Sequence, residues 1–291
     1  MVNATKKGEW FEIIIPSDWK GQSIEQIFRD RWNAPKKLTH QFRMNKDVKV
    51  NGQHANWMTP LEKNDRLSIR LFSEEEFGVS PTYMEIEVLY EDDHLLVVNK
   101  PAGIKTHPNI PDETDTLANA VAFHLQSKGE YRHVKHIHRL DQDTSGVILF
   151  AKNALVGSIL DKMLEKRKIK RTYVALLKGV LKKKKGKIDD PIGRDRHHPT
   201  KRRVSPNGEP AITHFQVLEV KNNTTKVKCQ LETGRTHQIR VHFSHMGFPL
   251  IGDKLYGEPS QPGRLALHAE RLQFTHPLTM EEIDTYSPPN W

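Results

Sequence analysis

The chain contains many short stretches in which apolar residues either alternate with polar ones or form a continuous run. Alternation predicts a half-buried strand, and a short continuous apolar run predicts a fully buried one. The predicted strands are residues 10–15, 48–50, 67–71, 85–90, 95–98, 147–151, 173–180, 213–220 and 225–231. Asn51-Gly52 predicts a tight hairpin turn after one strand, and Asn222-Asn223 joins the last two.

Apolar residues at helical spacing predict helices between these strands. One helix follows Ser23, a candidate N-cap, and a shorter one includes Leu38 and Phe42. A third begins at Asp115 or Thr116 and ends at Gly129, and a fourth follows Asn153. Thr236 is the predicted cap of a fifth helix, which ends at Gly247.

Strands and helices without regular alternation favour an α+β fold, with a largely antiparallel mixed sheet flanked by helices. The 291 residues leave room for two domains. We expect a small α/β domain at residues 1–72, a linker at 73–83 rich in glutamate and containing proline, and a larger α+β domain at 84–291.

The net charge of +9 favours a polyanionic partner, and the alternative is a basic surface that binds no partner. The single cysteine, Cys229, excludes an internal disulfide and is predicted to be a buried strand thiol. No apolar run is long enough to cross a bilayer, and residues 1–9 contain no apolar signal core. We therefore expect a cytoplasmic protein without a membrane partner, and we expect a monomer.

Residues 138–146, with the sequence HRLDQDTSG, place a carboxylate a few residues before a buried strand. Gly146 lies at the junction, where close backbone approach or a positive φ is possible. Asp141 can be a turn former that bonds the amide of Thr144 or Ser145, or a nucleophile or general base. The residues alone leave both interpretations open.

Two other classes of protein compete with a carboxylate enzyme. His136, His138 and Asp141 are close enough in sequence for a metallohydrolase, but the chain has neither a cysteine pair nor a His-Glu-x-x-His motif. A non-catalytic RNA-binding protein or RNA chaperone would also suit the charge, but it would have no need for a positioned aspartate.

Four stretches in order resemble the motifs of the RluA/RluD-type pseudouridine synthases. They are residues 90–103 (YEDDHLLVVNKPAG), 138–146 (HRLDQDTSG), 170–176 (KRTYVAL) and 231–242 (LETGRTHQIRVH). The resemblance implies a fold with a central cleft and an enzyme that isomerises specific uridines in structured RNA. Large-subunit ribosomal RNA is the first candidate and transfer RNA the second, and the resemblance implies no cofactor and no metal.

The resemblance also implies roles for individual residues. Asp141 matches the catalytic aspartate, Arg235 the arginine that pairs with it, and Tyr173 the tyrosine that stacks on the target base. Arg139 matches the arginine that fills the gap left in the RNA stack. Leu231, Arg202 and Arg203 complete the expected substrate-binding set, and we leave His138, His237 and His242 as structural.

Residues 1–72 resemble the alpha-L RNA-binding domain of a ribosomal protein, with two departures. Residues 23–26 (SIEQ) replace an Arg-Leu-Asp sequence, and residues 45–47 (NKD) replace a glycine. The alternative is a domain that merely packs on the larger one. Basic residues lie at Lys36, Lys37 and Arg43, at 182–185 and at 194–203, and we expect the last group nearest the cleft.

Overall fold

The computed structural model describes residues 3–257 and 263–291, and the first part of the chain forms a five-stranded antiparallel sheet. Its strands are β1 (Ala4–Lys7), β2 (Trp10–Ile14), β3 (Val48–Val50), β4 (Gln53–His54) and β5 (Arg66–Arg70), in the order β1-β2-β5-β3-β4. A 3-10 turn (Ser17–Trp19), a helix α1 (Ile24–Gln26) that continues as a π-helical turn (Ile27–Arg31), and α2 (Lys36–Met44) follow β2. Strand β1 was not predicted from the sequence.

Local sequence signals explain the ends of these elements. Ser23 caps α1 through a capping box with Gln26, in which each side chain bonds the backbone N–H of the other. Asn51 and Gly52 have φ values of 51° and 81°, which a tight hairpin turn between β3 and β4 requires. Both predictions are confirmed.

The remainder of the chain builds a ten-stranded mixed sheet and a separate two-stranded ribbon. The strands are β6 (Glu87–Glu91), β7 (Leu95–Lys100), β8 (Lys135–His136), β9 (Ser145–Ala151), β10 (Lys170–Lys178), β11 (Lys185–Asp189), β12 (Ile192–Arg194), β13 (Arg202–Val204), β14 (Ile212–Lys221), β15 (Thr224–Leu231), β16 (Leu267–Thr275) and β17 (Glu282–Tyr286).

The large sheet has the main order β11-β14-β15-β10-β16-β9-β7-β6. Strand β17 pairs with β16, β8 pairs with β9, and β12 pairs with β13 in the ribbon. Its strands pair antiparallel except for β9 and β16, which run parallel. The predicted α+β fold with a largely antiparallel mixed sheet is confirmed.

Three helices accompany this sheet: α3 (Leu117–Ser127), α4 (Ala154–Glu165) and α5 (Gln238–His245). Thr116 begins α3 and Asn153 caps α4, as predicted. The predicted cap of the fifth helix is wrong, since α5 begins after His237, which has a left-handed φ of 59°. The reason is that the Gln238 side chain accepts the Arg235 N–H and donates to the Ile212 carbonyl, which holds the preceding residues in a turn against β14.

Alternating side chains of the central strands fill the two faces of the sheet. Leu96, Val98, Ile148 and Phe150 belong to a core that includes α3 and α5. Leu95, Val97, Val147 and Leu149 belong to a second core that includes α4. Because both faces are covered, these strands read as continuous apolar runs in the sequence.

The first sheet packs directly on the larger part of the molecule, because its apolar residues belong to the same core as α4. The His94 ring lies between Phe11 and Phe72, with ring centroids 4.6 and 5.2 Å away. Lys6 and Asp93 form an ion pair of 2.6 Å across the same boundary. Residues 71–86, which join the two sheets, contain no helix or strand, and the exact boundaries at 72 and 84 stay a prediction.

Candidate active site

A cavity of about 640 Å³ opens beside the end of β9 and brings together residues from three of the four motifs. Asp141, Tyr173, Arg139, Leu231 and Arg235 all line it. These residues are up to 96 positions apart in the chain, from Arg139 to Arg235. The cavity is therefore the candidate active site.

The loop before β9 directs the Asp141 carboxylate into this cavity. The Asp141 carbonyl, rather than its carboxylate, closes the turn by accepting the Thr144 N–H at 3.1 Å. The Thr106 hydroxyl holds the preceding residue, because it donates to the Leu140 carbonyl at 3.0 Å and accepts the Leu140 N–H at 3.1 Å. The carboxylate is thus not used to form the turn and is 19% exposed at the cavity.

The Lys100 side chain, which is completely buried, also holds this loop. Its Nζ donates to the carbonyls of Pro101, Ile104 and Gln142 at 2.9, 2.7 and 3.0 Å. Burial lowers the pKa of Lys100 to about 8, while the nearby Asp141 and Asp143 act to raise it. Three carbonyl acceptors match the three donors of an ammonium group, so the charged form fits this position.

Gly146 explains how Asp141 and Tyr173 come together. Its φ is 118°, and a Cβ at this position would lie 2.2 Å from the carbonyl oxygen of Ala269. The missing side chain lets β9 run parallel to β16 at Ala269, which also pairs with Tyr173 on β10. Both functions that the sequence suggested for Gly146, close approach and positive φ, are confirmed.

The guanidinium next to Asp141 belongs to Arg240 and not to Arg235, so the predicted pairing is wrong. Arg240 Nη1 lies 3.5 Å from Asp141 Oδ2. Arg235 instead forms an ion pair with Glu209 and donates from Nε to the Pro210 carbonyl at 3.0 Å. Arg235 lies in the turn before α5, whereas Arg240 lies in the first turn of the helix.

Asp253 fixes Arg240 from the side opposite Asp141. Two parallel hydrogen bonds of 2.8 Å join Arg240 Nε and Nη2 to the two carboxylate oxygens, and both side chains are buried. Burial alone would raise the pKa of Asp253, but the bonds from Arg240 outweigh it and the pKa is lowered. The pair is therefore ionised, and its geometry is the two-pronged form that arginine and carboxylate prefer.

Tyr256 completes the support of Arg240. Its ring lies 5.2 Å from the guanidinium carbon, a cation–π contact. Its hydroxyl accepts the Arg202 N–H at 2.8 Å and forms a hydrogen bond with His237 Nδ1, also at 2.8 Å. Burial raises the pKa of Tyr256 to about 12 and lowers that of His237, so both groups are neutral near pH 7.

Tyr173 is 5% exposed and lies between Cys229 on β15 and Ala269 on β16. Burial raises the pKa of its hydroxyl, which stays protonated. Cys229 is buried, as predicted. At the rim of the cavity the exposed Arg139 donates from Nη2 to the Thr236 hydroxyl at 2.7 Å, which is the contact that Thr236 makes instead of capping the helix.

Arg202 and Arg203 lie on β13 and do not line the cavity with Tyr173. Arg202 reaches the site through its backbone contact with Tyr256, while the Arg203 side chain is exposed. Thr200, in the same basic segment, lines a second recess of about 760 Å³ together with Asp141 and Arg240. The segment thus borders the site from the side of Arg240.

His138 of the central motif and the nearby His136 are held in neutral form. Burial lowers the pKa of His136 to about 4 and that of His138 to about 3. The His136 ring stacks on His107 at a centroid distance of 4.3 Å. Within residues 3–257 and 263–291, no three His, Cys, Asp or Glu side chains are placed to hold a metal ion, and no helix could span a membrane.

Sequence reasoning missed Arg240, Asp253, Lys100 and Tyr256. Arg240 and Lys100 lie inside the quoted motifs, so a closer look at every charged motif residue could have named them. Asp253 follows Gly252 in a turn, which is a weak signal, and Tyr256 has none that separates it from other tyrosines.

Comparisons with known proteins identify the family of this chain. Residues 94–245 match the family described as RNA pseudouridylate synthase, and residues 11–67 match the RluD ribosomal pseudouridine synthase N-terminal domain. The chain therefore belongs to the RNA pseudouridylate synthase family. It is an RNA pseudouridine synthase, an isomerase that modifies RNA.

Two curated relatives cover most of the chain. An uncharacterized RNA pseudouridine synthase of Bacillus subtilis, YhcT, is 47% identical over 286 residues, covering 97% of this chain and 95% of the relative. Ribosomal large subunit pseudouridine synthase D of Haemophilus ducreyi is 36% identical and covers 92% and 86%. The solved structure of human RNA pseudouridylate synthase domain containing 1 is 28% identical, with a TM-score of 0.59 over 70% of this chain and 84% of that one.

Proposed function

We propose that this enzyme isomerises specific uridines in structured RNA, and that large-subunit ribosomal RNA is its substrate. The likeness to ribosomal large subunit pseudouridine synthase D carries this proposal, since it extends over 92% of the chain. The match of residues 11–67 to the RluD N-terminal domain supports it. Transfer RNA is the other substrate class with uridines in structured loops.

Asp141 is the proposed catalytic group. Pseudouridine formation breaks the glycosidic bond, rotates the detached uracil and rejoins it through carbon 5, without redox change. The Asp141 side chain lines the cavity with Tyr173, and the Arg240 guanidinium lies 3.5 Å from its carboxylate. An ionised carboxylate can attack the sugar, attack the base or remove a proton, and all three routes use this same group.

Arg240, rather than Arg235, is the proposed partner of Asp141. Its position is fixed by Asp253 and Tyr256, so it needs no reorganisation when charge develops on the Asp141 carboxylate or on the substrate. Arg235 has its charge paired to Glu209 at the cavity rim, so it is not proposed as the partner of Asp141.

Tyr173 and Leu231 are proposed to hold the uracil. A flat ring with a neutral hydroxyl offers a stacking surface on which a detached base can turn. Leu231 supplies an apolar wall on the same cavity. Because the target base must leave its stack to enter a cavity of this size, the enzyme acts by base flipping, and Arg139 at the rim is placed to fill the gap that the base leaves.

The basic segments are proposed to capture the RNA backbone. Arg202 and Arg203 lie on the ribbon, where the Arg202 N–H bonds the Tyr256 hydroxyl, and neither residue lines the cavity. Phosphates neutralised there would position the RNA without reading its sequence.

Mapping pseudouridine across total RNA of cells with and without the gene tests the proposal. We expect one or a few positions in large-subunit ribosomal RNA to lose the modification. The wild-type gene should restore them, and a gene for Asp141→Asn should not. Loss of pseudouridine confined to transfer RNA would show that transfer RNA is the substrate instead. Restoration by the Asp141→Asn gene would contradict the catalytic role of Asp141.

A further inference from the structure

His138 is buried at the candidate active site without any hydrogen bond. It is 6% exposed, and neither ring nitrogen has a partner among the described residues. The residue lines the same cavity as Asp141 and Tyr173. Buried polar groups in folded proteins are almost always hydrogen-bonded, because an unpartnered group loses its bonds to water without replacement. Two unpartnered nitrogens beside an open cavity indicate that a bound group supplies a partner.

Arg171 is a second unsatisfied group at the same cavity. It lies two residues before Tyr173 on β10, so both side chains are on one face of the strand. Its Nε is buried without a hydrogen-bond partner, and no carboxylate in the described part of the chain forms an ion pair with it. Arg167 and Arg235, which line the same cavity, are paired with Glu232 and Glu209. Arg171 therefore contributes an uncompensated positive charge.

His138 and Arg171 line the same cavity. The positive charge of Arg171 adds to the effect of burial in lowering the pKa of His138. Gly234 makes room for the guanidinium, because a Cβ at this position would lie 3.2 Å from Arg171 Nη1. Gly234 has no left-handed φ, so its effect here is one of space rather than of backbone conformation.

From these contacts we infer that His138 and Arg171 form a subsite for one phosphodiester group of the flipped nucleotide. The inference rests on the proposed function, since it requires a nucleotide whose base and sugar reach Tyr173 and Asp141. A phosphate neutralises Arg171, which a uracil carbonyl would not do, and its oxygens accept from both the guanidinium and the imidazole N–H. The flipped nucleotide has a phosphate on each side, and the subsite takes one of them.

Chemically altered RNA tests the subsite directly. The probes are synthetic hairpins, based on the RNA that the mapping identifies, with one neutral methylphosphonate either 5′ or 3′ of the target uridine. For the wild-type enzyme we expect one of the two replacements, and not the other, to weaken binding by about tenfold. Arg171→Ala should bind the normal hairpin about tenfold more weakly than the wild-type enzyme does. The same methylphosphonate should then weaken its binding by less than about twofold further.

Arg167→Ala is the matched control, because Arg167 lines the same cavity but is paired with Glu232. It should keep the full sensitivity to the methylphosphonate. His138→Asn should lose part of the sensitivity, and Gly234→Ala, which crowds the guanidinium, should resemble Arg171→Ala. Thermal unfolding of each variant checks that the fold is kept, and Arg171→Ala removes a side chain that is only partly buried.

The subsite is overturned if Arg171→Ala and the methylphosphonate weaken binding independently at both positions. In that case the combined loss of affinity equals the product of the two separate losses. That result with intact conversion of uridine leaves the proposed function in place. Conversely, coupling between Arg171 and one phosphate in an enzyme that converts no uridine supports the subsite and contradicts the proposed function. Binding affinity and conversion are measured on the same hairpins, so the two failures are distinguishable.

Discussion

Arg240 and Asp253 form a buried two-pronged ion pair that fixes the guanidinium without help from Asp141. The two hydrogen bonds are 2.8 Å long, whereas the nearest contact between Arg240 and Asp141 is 3.5 Å. Asp141 is therefore the weaker partner of a shared cation. The Asp141 carboxylate can therefore move without leaving a buried positive charge unpaired.

Asp141→Asn should abolish pseudouridine formation and leave the fold nearly unchanged. Arg240 keeps Asp253 as its partner, so the free energy of unfolding should change by less than about 1 kcal/mol. Asp253→Asn should instead cost about 3–5 kcal/mol, because it leaves the buried guanidinium without its main counter-charge. Urea unfolding and conversion of a hairpin substrate measure both variants. Equal stability losses would contradict this division of roles.

Arg240→Ala and Arg235→Ala should separate the two arginines of the last motif. We expect Arg240→Ala to lose activity and stability together, since it leaves Asp253 buried and unpaired. Arg235→Ala removes a partly exposed ion pair with Glu209, which contributes at most about 1 kcal/mol. Turnover at saturating RNA should fall by orders of magnitude only for Arg240→Ala. A comparable loss of turnover in Arg235→Ala would show that the pairing in the structure is not the functional one.

The free energy of unfolding should decrease as the pH is lowered below 6.5, because the fold buries neutral histidines. Burial lowers the pKa of His94 to about 4 and that of His138 to about 3, from an ordinary value of 6.5. The unfolded chain therefore takes up protons below pH 6.5 that the folded protein does not, which favours unfolding. Between its folded-state and unfolded-state pKa values, each histidine lowers the free energy of unfolding by up to about 1.4 kcal/mol for each pH unit of acidification.

The window from pH 6.5 to 4.5 separates these histidines from carboxylates. At Glu91 burial is outweighed by bonds from Lys128, His124 and Lys152, so its pKa is lowered to about 2 and its contribution is lost only below its ordinary value of 4.5. Urea unfolding at pH 7.5, 6.0 and 5.0 measures the slope. His94→Gln should reduce the slope of the free energy of unfolding against pH by the equivalent of about one proton taken up on unfolding. An unchanged slope would show that His94 is not held neutral.

Arg203→Ala should weaken the binding of any RNA to about the same extent. The side chain is exposed on the ribbon that borders the site, where it can bind a phosphate but no base in the cavity. Removing one such phosphate interaction should reduce the slope of log affinity against log salt by about 0.7–0.9. Arg271→Ala is the control, since Arg271 is already paired with Asp284. A sequence-dependent decrease in affinity would indicate that Arg203 binds a base instead.

Gly146→Ala should prevent β9 and β16 from pairing. The added Cβ would lie 2.2 Å from the Ala269 carbonyl at a φ of 118°, so both overlap and backbone strain oppose it. We expect a loss of about 3 kcal/mol or more in the free energy of unfolding. Gly129→Ala shares a positive φ of 72° but has nothing within 4 Å, so it should cost about 1–2 kcal/mol. Equal losses would show that the close approach at Gly146 is unimportant.

The sequence by itself determined most of the elements and one side of the site. Ser23 and Asn153 cap helices and Asn51-Gly52 forms a turn, because each acts on backbone groups only a few residues away. The apolar run after Gly146 is a buried strand, and Asp141 lies just before it at the cavity. Local geometry fixes such features, so local patterns predict them.

Only the tertiary structure decided which arginine faces Asp141. Gln238 holds the residues before α5 against β14, so the helix begins one residue later than the predicted cap at Thr236 indicates. Arg240 rather than Arg235 lies next to the carboxylate. Asp253 and Tyr256, which fix that arginine, lie 13 and 16 residues further along the chain. Ion pairs between distant residues depend on the relative positions of the ends of several helices and strands. No local sequence pattern contains that information.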